Sequence, residues 1–161
     1  MDYKIDKAKS SDHEKIHSIC RQCSIKDGNL LDMDVPTMEA LDTGCIGGCS
    51  FVARKGDQVV GWAAMMPFPG REDEKDIARV SVFVSPENRR QGIGKALLAS
   101  LIEASQKNYI SSMRSMIIRN NIPGLILHKK MGFRALGIYD GAGTIKGKES
   151  NAVTLERKVW M

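Results

Sequence analysis

Several features that would place a chain in a special class are missing here. The longest mostly apolar run, Val59 to Phe68, is about half of the roughly 20 residues a membrane-spanning helix needs, and it contains Pro67. The opening Met1-Asp2-Tyr3-Lys4 leads into no apolar stretch, so no secretory signal is predicted and a cytoplasmic protein is expected. Charge of one sign is also scarce. Lys and Arg total 24 against 19 Asp and Glu, leaving +5. That excess suits a phosphate-bearing ligand but is too small and too dispersed to indicate nucleic acid. The 161 residues contain no repeat, no low-complexity tract and no interdomain linker. With 42% hydrophobic and 27% charged residues the composition is that of a globular protein, which excludes a disordered or fibrous chain. One domain over residues 1–161 is expected.

Cysteine is sparse as well, and its spacing invites a wrong turn. Cys20-x-x-Cys23 and Cys45-x-x-x-Cys49, with His13 and His17 nearby, resemble a zinc-ribbon arrangement. Ile16, Ile19, Cys20 and Cys23, however, fall at i, i+3, i+4 and i+7, the buried stripe of an amphipathic helix. Cysteine packs there as a small hydrophobe. The core reading is preferred, with no metal site and, in a reducing compartment, no disulfides.

What is present alternates. Tyr3 to Lys9 reads as a strand, and Ser11-Asp12-His13-Glu14 as a capping box that opens a helix running to Ser24. A short helix is predicted over Pro36 to Leu41. Two β-rich runs, Cys49 to Lys55 and Gln58 to Met66, flank Gly56-Asp57 and predict a hairpin. Asp76 to Ser85 is the strongest strand, with Val80, Val82 and Val84 on one face and Ser81 and Phe83 on the other. After a loop, Ile93, Leu97, Leu98, Leu101, Ile102 and Ser105 form one face of a helix. Ser111 to Arg119 is a strand. Asn120-Asn121-Ile122-Pro123 starts a helix that ends at Met131-Gly132. Phe133 to Tyr139 and Asn151 to Trp160 are the last strands, joined by a glycine- and lysine-rich stretch from Asp140 to Ser150. The order β-α-α-β-β-β-α-β-α-β-β implies a mixed α/β or α+β sheet covered by helices.

Between the strongest strand and the following helix lies Pro86-Glu87-Asn88-Arg89-Arg90-Gln91-Gly92-Ile93-Gly94-Lys95. A strand feeding a basic, glycine-bearing loop and then a helix N-terminus directs free N–H groups and the positive end of a helix dipole at one spot. Such a spot binds anions. An ordinary turn with solvated arginines explains the glycines equally well. A Walker A loop is excluded, since Arg89 stands where glycine is required and Ala96 where Ser or Thr is required. A dinucleotide fingerprint fails because Leu97 stands where a small residue is needed.

Arg89-x-x-Gly92-x-Gly94, after Val82-Phe83-Val84, resembles the Arg-x-x-Gly-x-Gly signature of the GNAT N-acetyltransferase superfamily. Asn121-x-x-Gly124-x-x-Leu127-His128-Lys129-Lys130-Met131-Gly132-Phe133 resembles a block of its phosphinothricin acetyltransferase-like branch. The resemblance implies a mostly antiparallel sheet with helices on both faces, and acetyl-CoA as acyl donor. It implies that Val82, Phe83 and Val84 pair with the pantetheine arm, in a strand whose bulge leaves room for the donor. Backbone N–H groups from Arg90 through Gln91, Gly92, Ile93 and Gly94 to Lys95 would hold the pyrophosphate, with Arg89 adding charge. Asn121 would contact the donor near its thiol, and His128 stands where many relatives carry a catalytic tyrosine. A packing role for His128 is preferred. The branch's glutamate base is absent, because its position is Arg79.

The implied activity is N-acetylation of a small amine, an amino acid or a similar metabolite. A non-catalytic acyl-CoA-binding or sensing domain is the alternative, and a zinc-dependent regulator a third. Expected partners are the small-molecule amine and at most a second copy of the chain. Residues 25–48 carry one lysine, Lys26, against Asp27, Asp32, Asp34, Glu39 and Asp42, a local net charge of −4. On the acceptor side of the cleft those aspartates would attract a cationic amine; as ordinary loop and capping residues they would do nothing of the kind.

Overall fold

A computed structural model describes residues 2–27, 35–68, 70–145 and 148–159. Seven strands form one sheet, β1 (Lys4–Lys7), β2 (Ser50–Lys55), β3 (Gln58–Pro67), β4 (Ile77–Val84), β5 (Ser112–Ile118), β6 (Arg134–Ile145) and β7 (Lys148–Lys158). Their spatial order is β1-β2-β3-β4-β5-β7-β6. Every neighbouring pair is antiparallel except β4 with β5. Helices α1 (His13–Asp27) and α2 (Met38–Thr43) lie on one face, and α3 (Ile93–Lys107) and α4 (Ile122–Lys130) on the other. The mixed, mostly antiparallel sheet with helices on both faces is therefore the one expected.

Alternation along the strands sorts the core into two layers. Val80, Ala78, Met113 and Leu155 face α3, where Ile93, Leu97, Leu98 and Leu101 meet them. Burying each of those leucines contributes roughly 1.5–3 kcal/mol. Trp62, Val52 and Ala64 face α1, which offers Ile16, Ile19, Cys20 and Cys23. Cys20 and Cys23 thus sit in the apolar stripe, and burial pushes the Cys20 thiol well up from its ordinary value. Trp62, fully buried, donates its indole N–H to Ser50 Oγ at 2.8 Å and stacks on Phe83 at 5.8 Å between centroids.

The entry to α1 departs from the expected capping box. A 3-10 turn over Ser10–Asp12 precedes it, and Asp12, not Glu14, reaches back to accept from Lys9 N–H at 2.8 Å. Asp12 is preferred because it is buried and also receives Arg54 Nη1 at 2.8 Å and Nη2 at 2.7 Å, while Arg54 Nε donates to Asp6 at 3.1 Å. One arginine on β2 therefore ties α1 to the sheet edge. A second departure concerns the stretch after Tyr139. β6 and β7 continue their ladder through Gly143↔Ser150 and Ile145↔Lys148, so the predicted connecting segment is mostly strand. Its glycines and lysines read as loop because β propensity depends on the neighbouring strand more than on the residue. The short helix begins later than predicted, with Thr37 as its N-cap and Pro36 before it.

β4 and β5 pair only through Ile77↔Ser112, Ala78↔Met113 and Arg79↔Arg114. Beyond Arg79 they part. β4 stays on β3 as far as Val84↔Gly61, and β5 stays on β7 as far as Ile118↔Ala152. The bulge expected in β4 is not there, since its register with β3 runs without a shift. Lost pairing alone opens the sheet.

Two expected outcomes follow from these contacts. The hydrogen bonds from Arg54, opposed by burial, hold the Asp12 carboxyl below its ordinary value. A depressed folded value contributes stability above about pH 4 that disappears as pH falls through it. Asp12→Asn should therefore cost about 1.5–3 kcal/mol at pH 7 and flatten the loss of stability below about pH 4 in urea titrations. At the end of α3, Ile110 N–H bonds Ser105 O at 3.1 Å while Tyr109, an exposed residue with φ 58°, holds the left-handed position. Glycine suits that position, so Tyr109→Gly should raise stability by about 0.5–1 kcal/mol, read as a higher urea midpoint at unchanged slope.

Candidate active site

The parting of β4 from β5 creates a gap whose β4 wall is backbone. Ser85 N–H donates to Val60 O at 2.9 Å, which marks residues 60 and 85 as a hydrogen-bonded pair. Antiparallel alternation then turns the N–H and C=O of Phe83 toward Trp62, and those of Val82 and Val84 toward the gap. Of the three residues expected to pair with a ligand strand, Val82 and Val84 present their backbone there. Phe83 presents its ring to α1 instead. Val84 O already accepts from Arg89 Nε at 3.3 Å and Nη2 at 3.2 Å, and from Cys23 Sγ at 3.5 Å. Arg89 thus braces the end of β4.

At that end the chain turns through Pro86–Asn88, stabilised by Ser85 Oγ–H donating to Glu87 at 2.8 Å and Asn88 N–H to Ser85 O at 2.9 Å. Arg90 then adopts φ 63° and Gly92 φ 80°. A left-handed arginine costs roughly 1–2 kcal/mol, and such strain gathers where the backbone must point in a set direction. Gly92 is the N-cap of α3, and no side chain caps its first turn. No acidic residue lies in that turn, while Arg89, Arg90, Gln91 and Lys95 are exposed around it. Ile93 sends its side chain into the core, leaving only its N–H to the rim. The first turn of α3 thus lies uncapped by any side chain among exposed basic residues. The glycines, though, serve the chain's own packing. Gly92 is needed for its φ, and its carbonyl accepts from Tyr3 Oη at 3.2 Å. A Cβ on Gly94 would lie 3.3 Å from Leu127 Cδ2 and 3.7 Å from Val84 Cγ2, so this glycine lets α4 close against α3.

Asn121 is the N-cap of α4, its Oδ1 accepting from Gly124 N–H at 3.1 Å. This uses one of its polar atoms and leaves the amide Nδ2. His128 is 3% exposed. Its Nδ1–H donates to Gly124 O at 2.8 Å, and its ring meets Phe133 edge-on at 5.0 Å. Burial holds its pKa below the ordinary value, with the Gly124 bond opposing. It packs α4 against Phe133, just before β6. Arg79, where the branch has glutamate, is buried at the closed end of the gap. Beside it, and not anticipated from sequence, Arg114 Nε donates to Glu156 at 3.0 Å, and Ser112 Oγ–H donates to the same carboxylate at 2.7 Å. Burial pushes Glu156 up, but these bonds and Lys158 outweigh it and keep the group ionised. Opposite charges at Arg114 and Glu156 were the available signal, and only the β5–β7 register pairs them.

Of the acidic segment, Asp42 is engaged by His13 Nδ1 at 2.7 Å across the α1–α2 contact. Asp32 and Asp34 lie outside the described residues, as does the side chain of Asp27. Among the described residues no helix is long and apolar enough to cross a membrane.

Residues 47–135 match the acetyltransferase (GNAT) domain family, more than half of the chain. The chain belongs to that family. YwnH of Bacillus subtilis is 29% identical over 101 residues, 63% of this chain and 62% of its own. The phosphinothricin N-acetyltransferase of Streptomyces coelicolor is 27% identical over 100 residues, covering 62% and 58% of the two chains. This chain spans between 39% and 62% of the length of the curated relatives it matches. Among solved structures, a GNAT superfamily phosphinothricin acetyltransferase from Sinorhizobium meliloti, in complex with acetyl-CoA, superposes with a TM-score of 0.83 at 25% identity. That likeness covers 98% of this chain and 89% of the other.

The Asn121 cap supplies a test. Asn121→Ala should lower stability by about 1 kcal/mol, whereas Asn121→Asp, which keeps the acceptor oxygen, should hold it close to wild type. Thermal melts of the two variants read the difference.

Proposed function

We propose that the chain is an acetyl-CoA-dependent N-acetyltransferase whose acceptor is a small amine, an amino acid or a similar metabolite. The observation that carries this reading is the gap between β4 and β5, floored by backbone at Val82 and Val84 and ended by the uncapped α3 N-terminus. A peptide-like arm laid in the gap extends β4 as an added strand, with Val82 and Val84 offering backbone groups and Phe83 supporting the wall. N–H groups from Arg90 to Lys95 receive a pyrophosphate, assisted by the α3 dipole and by Arg89, Arg90 and Lys95. The donor bound in that crystal complex supports this reading of the gap.

When bound, acetyl-CoA supplies a thioester carbonyl carbon as electrophile. The protein fixes the acceptor nitrogen beside that carbon, which removes much of the entropic barrier, and polarises the carbonyl with a backbone N–H from β4. Asn121 Nδ2 is the amide donor remaining at the mouth of α4. The acceptor must arrive as a neutral amine. No carboxylate base occupies the β4 position, so deprotonation falls to water under the field of the arginines at the closed end.

Two variants separate binding from chemistry. Gly92→Asp places a carboxylate at the cradle in a residue that tolerates φ above zero, and Gly94→Glu adds both a Cβ and a charge. Each should weaken CoA binding at least about tenfold by calorimetry, the scale of removing charge-assisted hydrogen bonds. Unchanged affinity in both folded variants would overturn the cofactor assignment. Tight CoA binding without thioester consumption across an amine panel would identify a sensing domain instead.

A further inference from the structure

A residue from the far edge of the sheet reaches the first turn of α3. Tyr3 immediately precedes β1, three strands away from β4. Its ring and the side chain of Ile5 pack against the apolar layer that α3 covers. From there the phenol Oη–H donates to Gly92 O at 3.2 Å, a bond between residues 89 apart in the chain. The same carbonyl accepts Ala96 N–H at 3.0 Å, the first bond of the helix. Two donors therefore hold one oxygen at the N-cap of α3.

That oxygen belongs to the peptide unit whose N–H is that of Ile93. The C=O and N–H of a planar trans peptide point in opposite directions, so whatever fixes the first also aims the second. With Gly92 O turned into the helix, Ile93 N–H points out of its end, where the first turn leaves donors unpaired. This peptide needs holding. Gly92 sits at φ 80° and Arg90 at φ 63°, and glycine has more alternative conformations open to it than any other residue. Support comes from two sides. Beneath, a Cβ added to Gly61 would lie 3.2 Å from Ile93 Cγ2 and 3.0 Å from Leu97 Cδ1, so α3 rests directly on β3. At the rim the support is the Tyr3 hydroxyl. A bond to the carbonyl also polarises the peptide and makes its N–H a better donor.

We propose that Tyr3 is a positioning residue for the acyl donor, its hydroxyl fixing the Gly92–Ile93 peptide so that Ile93 N–H stays aimed at the pyrophosphate. This rests on the reading of the α3 N-terminus as the pyrophosphate site. Tyr3 acts through the peptide and not as a ligand, because its single hydroxyl proton is spent on Gly92 O. Its ring is already anchored in the apolar layer, so the oxygen is not needed to pack the chain. The effect belongs to the phosphate end of the donor, since the pantetheine arm uses Val82 and Val84.

The test uses the whole chain, labelled with 15N, as wild type, Tyr3→Phe and Gly92→Asp. Each is titrated with CoA and with pantetheine, which lacks the pyrophosphate. Tyr3→Phe removes one oxygen and keeps the ring, and the dispersion of the amide spectrum verifies that each variant is folded. Its Kd for CoA should rise about fivefold, within the range for one net hydrogen bond, while pantetheine affinity changes little. In wild type, saturation with CoA should move the Ile93 amide proton downfield, and in Tyr3→Phe that movement should shrink. Equal CoA affinity and an equal Ile93 response in wild type and Tyr3→Phe overturn the proposal. So does an equal loss of affinity for CoA and pantetheine, which would mark a general loosening of the fold. If Gly92→Asp weakens CoA binding and Tyr3→Phe does not, this proposal alone fails. If neither variant weakens it, the pyrophosphate reading of α3 fails and the role of Tyr3 falls with it.

Discussion

The sheet is continuous only because Ile77, Ala78 and Arg79 pair with Ser112, Met113 and Arg114, and the candidate site depends on that joint being short. Had the ladder run on to Val84, the outward backbone groups of Val82 and Val84 would be consumed by β5 and no ligand could use them. Had it been absent, α3 and α4 would have no common platform. The joint is pinned at its closed end, where Ser111 N–H bonds Asp76 O at 2.8 Å and Ser111 Oγ–H bonds the Asp76 carboxylate at 2.6 Å. At the open end Gly94 lets Leu127 approach α3. The gap is held by contacts at both ends, with its long side left for a ligand.

Around that gap, charge is divided by face. The far rim, at Arg89 through Lys95 and the α3 N-terminus, is a backbone site in which side chains add field but not geometry. The closed end is a side-chain site, where register places arginines beside one another. The first suits a diffuse polyanion such as a pyrophosphate.

Periodicity made much of this legible. The α3 stripe, the β2–β3 hairpin around Gly56 and the split of β4 into Val80/Val82/Val84 and Ser81/Phe83 faces all follow from spacing within one segment. Features that need two distant segments did not show. The β4–β5 pairing ends after Arg79↔Arg114, between strands 35 residues apart, which no local pattern encodes. Asp12 replaces Glu14 in the turn before α1 because Arg54, on another strand, is waiting for it. Residues 143–145 look like loop and pair as strand because β7 is available beside them. The contact that Gly94 makes room for, Leu127 of α4, likewise belongs to a distant segment. Arg114 and Glu156 were visible as charges but acquired meaning only through register.

The joint between the half-sheets also bears on how the chain folds. β2 with β3 and β6 with β7 are neighbours in sequence and close small loops, whereas Asp76 and Ser111, which begin the joint, are 35 residues apart and separated by the whole of α3. Loop closure of that length is entropically costly, and the return is only three residue pairs. The two hairpin-built halves are thus expected to form first and the joint to close last. In the native state the amide of Ala78, the one of the three that points to β5, should then exchange with solvent through smaller openings than those of the β2–β3 hairpin.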